Sequence, residues 1–292
     1  MPEEQPVLDH VAVAVESWSE AWPRYVVGLG GRWASGGANV GFAPAQLAFA
    51  NGARLEVLQP WEPEGNPFLR RFLDRGGPGP HHLTFKVPDI AAALEAVQAA
   101  GYAPVSVDLS DPGWKEAFLH PRQAGGIVVQ LAQAAGYWES PAPEGFPPPA
   151  GPPATLVRVA HAVADLDAAV ALFGGILGGA VERHPEARPG TAAATVRWEG
   201  PLALRLVTPT TAGGALAAFL DGRPGRVLHL AFALPAGATL PADAAPAPRD
   251  VLLGLLEDDL PLGVVAPEDN LGTRLVLLAP TGGDGGHRPA GR

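Results

Sequence analysis

The 292-residue chain contains no cysteine, so disulfides, thiolate metal centres and cysteine nucleophiles are all excluded. Any metal it holds must be taken by imidazole, carboxylate or amide groups. No apolar run approaches the roughly 18 to 20 residues that a membrane span needs. The segment 1–4 is acidic where an export signal would be cationic, so no membrane partner is expected and the expected location is the cytoplasm. Basic residues are also few. Twenty Lys and Arg against 30 Asp and Glu give a formal net charge of -10, with no basic stripe to follow a phosphate backbone, which argues against nucleic acid as a partner. The glycine-rich stretches 28–31 and 174–179 fit neither a phosphate loop nor a dinucleotide fingerprint, so no nucleotide cofactor is expected.

What is present is a large supply of small and apolar side chains, 47% hydrophobic in all, enough to fill the cores of two ordinary domains. The clearest break is residues 138–153, where clustered prolines forbid helix or central strand. The chain is therefore divided into an N-terminal module, 1–136, a Pro-rich linker, 137–154, a C-terminal module, 155–280, and a Gly-rich tail, 281–292, expected to be disordered.

Within the first module, LDHVAVAV (8–15) alternates as a strand and is followed by helical spacing over 17–29. Strands are expected at 46–50 and 54–59, then an amphipathic helix ending at Gly76. The order then restarts with a strand at 81–87, a helix capped by Asp89, and strands near 103–109, 116–120 and 127–132. After the linker the pattern recurs: LEVLQP at 55–60 matches LRLVTP at 204–209, and PHHLTFKVP matches VLHLAFALP, placing His229 opposite His82. The expected fold class is α+β, with four tandem βαβββ units forming two cupped mixed-sheet modules.

Alternation assigns faces. His10 shares a face with Ala12 and Ala14, and His82 with Thr84, while valines, Leu83 and Phe85 take the other side. His81 falls opposite His82 and reads as its surface neighbour. Glu56 and Gln130 each interrupt an apolar strand, and burying such groups without partners is costly. Any one of them alone is ordinary strand content. At equivalent places in four strands, His10, Glu56, His82 and Gln130 are most simply reconciled by a shared divalent cation: Zn, Ni, Co, Mn or Fe. Gln46, Trp114, Lys115 and His120 are weaker candidates for lining the same cup.

LDHVAVAV, LEVLQP, the segment 68–102 and AFLHPRQAGGIVVQLAQ (117–133) together resemble the glyoxalase I and methylmalonyl-CoA epimerase branch of the vicinal-oxygen-chelate superfamily. The resemblance covers nearly all of 7–133 and implies metal ligands at His10, Glu56, His82 and Gln130. It also implies direct binding of a substrate's adjacent oxygens to the metal and proton abstraction next to a carbonyl, by an isomerase or lyase acting on a small carbonyl compound or thioester. Relatives usually carry glutamate at the fourth position, and Gln130 cannot accept a proton, which leaves Glu56 as the candidate base. In the second module Arg158, Arg205, His229 and Leu277 stand at the corresponding places, so it is expected to have lost the metal. His161 falls on the other face and reads as structural. Two further readings stay open: a non-catalytic small-molecule binding or resistance protein, and an Fe(II)-dependent ring-cleaving dioxygenase. A monomer or homodimer is expected.

Overall fold

A computed structural model describes residues 5–134, 136, 139–248 and 253–280. The chain opens with β1 (Val7–Ala14), a short helix α1 (Trp18–Trp22) that continues into a π-helical turn at Pro23–Gly28, and strands β2 (Arg32–Gly36), β3 (Gly41–Ala48) and β4 (Arg54–Trp61). Helix α2 (Phe68–Gly76) leads to β5 (Gly79–Lys86), α3 (Ile90–Ala99), β6 (Val105–Asp111), β7 (Trp114–Leu119) and β8 (Val128–Ala134). These strands form one eight-stranded mixed sheet in the order β2-β3-β4-β1-β5-β8-β7-β6. The Asp89 carboxylate accepts from the Ala91 and Ala92 amides and starts α3, as its place before the apolar run predicts.

The second half contributes β9 (Thr155–Val163), α4 (Leu166–Val170) with a π-helical turn at Ala171–Ile176, β10 (Ala180–Arg188), β11 (Thr191–Arg197), β12 (Ala203–Pro209) and α5 (Ala215–Leu220). It ends with β13 (Gly225–Ala233), β14 (Pro261–Val265) and β15 (Leu275–Leu278), in a seven-stranded sheet ordered β10-β11-β12-β9-β13-β15-β14. Strands β10 and β11 are additional to the pattern expected before β12. The last unit is abbreviated: among the described residues no α-helix follows β13, only a single 3-10 turn at Pro267–Asp269, and Pro235, Pro241, Pro246 and Pro248 interrupt the stretch where α3 has its counterpart. The tail 281–292, expected to be disordered, lies outside the described residues, as do 135 at the end of the first module and 137 and 138 of the linker.

The two sheets place their apolar faces in one continuous core that holds Val11, Val13, Leu83 and Phe85 together with Val159, Phe173, Trp198 and Phe232. Phe85 packs edge-on against Trp198 with ring centres 5.1 Å apart, and Phe49 against Phe232 at 5.0 Å. Glycine permits the closest crossing of the halves. Gly126 has φ +88°, and a β-carbon there would lie 2.1 Å from the Gly225 carbonyl oxygen, so no other residue fits. His161, on the core face of β9, donates from Nε2 to the Gly125 carbonyl at 2.7 Å and ties the same crossing. The linker docks rather than swings: Phe146 packs on Trp22 and Trp33, and the Trp33 indole donates to the Ser140 carbonyl.

The opposite face of the first sheet is concave. There Ala12, Ala14 and Leu58 are covered by Leu69 and Leu73 of α2, so the small-residue side of β1 is partly filled by a helix and is not all open space. The polar residues of the site lie beyond this plug.

Candidate metal centre

Each of the four central strands of the first sheet supplies one of the four expected ligands: β4 Glu56, β1 His10, β5 His82 and β8 Gln130. All four are at least nine-tenths buried. His10 Nε2 and His82 Nε2 stand 3.6 and 3.5 Å from the same oxygen, Oε2 of Glu56. One donor atom from each of the three residues can be chosen so that all lie within 4.8 Å of one another. Ligands at ~2.1 Å from an ion are spaced roughly 3 to 3.5 Å apart, so the cluster needs little movement to close on one. Both Nε2 atoms are buried and have no hydrogen-bond partner among the described residues. Leaving such atoms unsatisfied costs roughly 1 to 3 kcal/mol each. A divalent cation would remove that cost, so the residues present fit a metal.

Gln130 lies beside His82, its Oε1 accepting from Thr84 Oγ1 at 2.6 Å and its Nε2 donating to Glu116 Oε2 at 2.7 Å. The side chain is therefore fixed, with one lone pair of Oε1 left for a further contact. Gln46, opposite Glu56 in the β3–β4 ladder, donates to Glu56 Oε1 at 3.3 Å and accepts from Arg54 at 2.9 Å. Trp114 sits at the rim and donates to Glu116 at 2.9 Å. Two of the weaker candidates are not brought in. Lys115 alternates with Trp114 and Glu116 and so shares its side with Ala117 and Leu119, which belong to the core. His120 lies exposed beyond the end of β7, where its Nδ1 accepts from the Arg122 amide.

Three neighbours were not foreseen. Glu116 shares the cup face because Phe118 pairs with Gln130 and residues two apart point the same way. Its signal was available once β7 and β8 were paired. Asp9 and His81 were hidden by β-bulges. The β1–β5 register shifts between Leu8 and His10 and again between Ala12 and Val13, opposite His82 and Pro80, so Asp9 and His81 are extra residues that alternation cannot place. His81 is consequently no surface neighbour: it is 8% exposed, stacked edge-on against Phe72 at 4.8 Å, with Nδ1 2.9 Å from Nδ1 of His82. Asp9 Oδ2 meets His10 Nδ1 at 2.7 Å. Each histidine of the cluster thus has its second nitrogen held by the residue just before it.

Electrostatics follow from these contacts. Burial would push His10 down, but the Glu56 and Asp9 carboxylates outweigh it and hold the imidazole at about 9. Burial would raise Glu56, yet His10 and then His82 bring it to about 2. His82 is driven well below its ordinary value by burial, and His81 to about 4 for the same reason.

The second sheet keeps the framework and changes the residues. Arg158 pairs with Ala203 and Ala231 as His10 pairs with Arg54 and Thr84, and Arg205 and His229 flank Ala160 as Glu56 and His82 flank Ala12. Register corrects one alignment: the position equivalent to Gln130 is Val276, which pairs with Ala231, and not Leu277.

A model of the glyoxalase/bleomycin resistance protein/dioxygenase superfamily matches residues 9–118. An ethylmalonyl-CoA/methylmalonyl-CoA epimerase of Cereibacter sphaeroides is 31% identical over 135 residues, covering 43% of this chain and 96% of the relative. An uncharacterized protein of Bacillus subtilis is 29% identical over 140 residues, 44% of this chain and 93% of its own. A variant of 4-hydroxymandelate synthase from Streptomyces coelicolor shares the fold over both halves, with TM-score 0.55 and 20% identity, covering 80% of this chain and 72% of that one. With nearly the whole epimerase matched at that identity, the chain belongs to the glyoxalase/bleomycin resistance protein/dioxygenase superfamily.

Proposed function

We propose that the N-terminal half, residues 1–136, is a divalent-metal-dependent isomerase or lyase that removes a proton beside a carbonyl, with a small carbonyl compound or a CoA thioester as substrate. The observation that carries the reading is the pair of buried Nε2 atoms of His10 and His82, without a hydrogen-bond partner among the described residues and facing one oxygen of Glu56. His10, Glu56 and His82 would hold the ion, with Gln130 as the fourth ligand. When bound, the ion supplies Lewis-acid stabilisation of the negative charge that develops on a carbonyl oxygen, worth several kcal/mol.

The chain's own groups divide the remaining work. Glu56 is the carboxylate that the sequence makes the base, but one held near 2 and committed to a metal is a weak proton acceptor. Glu116 is better placed: it reaches the fourth-ligand position through its 2.7 Å contact with Gln130, and Trp114 donates to the same oxygen, Oε2, leaving Oε1 for a proton. The acid that relatives carry at position 130 is thus supplied one strand further out. In this reading Glu116 takes the substrate proton, Gln130 orients Glu116, and Gln46 holds Glu56.

Proton exchange tests the assignment. With added divalent metal and methylmalonyl-CoA in heavy water, the chain should exchange the proton α to the thioester, followed by NMR. Glu116→Gln should keep metal and lose exchange, while Glu56→Gln should lose metal. Exchange undiminished in Glu116→Gln removes that residue from the base role; no exchange with any divalent metal removes the reaction class. A second reading rests on the donor set itself, since two histidines and one carboxylate with open positions suit Fe(II) and dioxygen. Oxygen uptake with a catechol and Fe(II), in place of proton exchange, would favour it.

A further inference from the structure

The concave face of the second sheet carries a chemistry opposite to that of the first. Where His10 and Glu56 stand in the first sheet, the second has Arg158 and Arg205, 5% and 3% exposed. Burying two guanidinium groups side by side is costly unless anions accompany them. Only one buried carboxylate does so among the described residues: Asp259, which bonds Arg158 and accepts from the Leu256 amide at 2.6 Å. Arg205 has a neutral partner, Thr195 Oγ1 at 2.8 Å. The nearest other acids are exposed: Glu182 is paired to Arg197 at 3.2 Å, and Asp258 lies in solvent. Among the described residues, the buried group therefore carries one positive charge in excess.

Unsatisfied polar atoms mark the same place. Nε of Arg158, Nε of Arg205 and both ring nitrogens of His229 are buried without partners among the described residues. A cavity of about 260 Å³ opens beside this group, lined by Arg158, Arg197, Trp198, Leu256 and Thr195, the residue to which Arg205 donates. The segment 253–259 supplies Leu256 to its wall and covers His229, Gly254 standing so close that a β-carbon would come within 2.6 Å of the ring. That segment delivers Asp259, so a carboxylate already occupies half of the arginine pair.

We propose that this cavity is a binding site for a small organic carboxylate, seated on Arg158 and Thr195 with the Arg205 charge behind Thr195, and competing with the Asp259 side chain for Arg158. Planar guanidinium groups match the two oxygens of a carboxylate. The volume suits a ligand of a few carbon atoms, and the loss of every metal-type ligand except His229 explains why the framework persists without a cation site. The site is independent of the metal centre in the first half.

Titration calorimetry of the full chain with succinate, against chloride at matched ionic strength, tests the assignment. One saturable site per chain is expected. Arg205→Gln should weaken it at least tenfold. Asp259→Asn should tighten it severalfold, because the competing carboxylate is gone; a merely structural ion pair predicts no such gain. His82→Ala should leave it unchanged. Inorganic phosphate competing for the same site would support an oxyanion pocket and extend its range beyond carboxylates. Absence of saturable binding, binding undiminished in Arg205→Gln, no tightening in Asp259→Asn, or loss in His82→Ala would each overturn the proposal. Should Arg205→Gln fail to fold, the Asp259→Asn comparison decides alone.

Discussion

Asp9 and His10 are adjacent in sequence and yet turn to the same side of the sheet, the Asp9 carboxylate meeting His10 Nδ1 at 2.7 Å. A bulge in β1 makes this possible, and the contact sets the ring so that Nδ1 donates to Asp9 and Nε2 faces Glu56. Against the effect of burial, His10 first and then Lys86, 3.4 Å from the other Asp9 oxygen, hold that carboxylate charged, at about 2.

Asp9→Asn should therefore weaken metal binding without removing a ligand. Loss of such an orienting partner typically costs 10- to 100-fold in affinity. Competition with a chromophoric chelator measures it, and an unchanged affinity would show that the bulge positions His10 without help from Asp9.

The crossing of the two halves should be intolerant of added bulk. At Gly225 a β-carbon would stand 1.9 Å from the Gly125 carbonyl oxygen, backbone that cannot swing aside. Gly225→Ala is expected to lower stability by more than ~2 kcal/mol, and Phe85→Ala by roughly 3 to 5 kcal/mol. Urea unfolding followed by tryptophan fluorescence checks both; a neutral Gly225→Ala would mean that the crossing is looser than described.

Acid should weaken the fold through histidines buried in neutral form. Burial holds His161 at about 4 and His229 at about 3, against an ordinary value near 6.5. Above ~6.5 neither the folded nor the unfolded chain protonates them, and their effect is fully present. As pH falls below that value the unfolded chain takes up protons that the native state refuses, so stability drops until the folded values are reached. The loss is on the order of a few kcal/mol for each group. Urea midpoints measured between pH 7 and pH 4 should fall, with a shallower slope in His161→Gln. An unaltered slope would exclude His161 as a contributor.

Much of this architecture is readable in the sequence, for a physical reason. Alternation in LDHVAVAV and HHLTFKV places His10 and His82 because β1 and β5 are central strands with one packed and one polar face. Repeated motifs then align Arg158, Arg205 and His229 with three of the four ligands. What alternation cannot show is a change of register. The two bulges that bring Asp9 and His81 to the cup, and the one-residue offset that makes Val276 the partner of Gln130's position, arise from long-range pairing that no local pattern records. Glu116 was lost for a related reason: without knowing that Phe118 lies across from Gln130, the faces of β7 have no origin, and Lys115 reads as well as Glu116.

The metal content of the purified chain tests the central claim most directly. Protein loaded with a divalent ion and then desalted should retain about one ion per chain by elemental analysis. His82→Ala should retain none, while Arg205→Gln, altered only in the second cup, should retain the full amount. Wild-type protein that keeps no ion under any loading, or His82→Ala that keeps as much as wild type, would contradict a metal centre built from His10, Glu56 and His82.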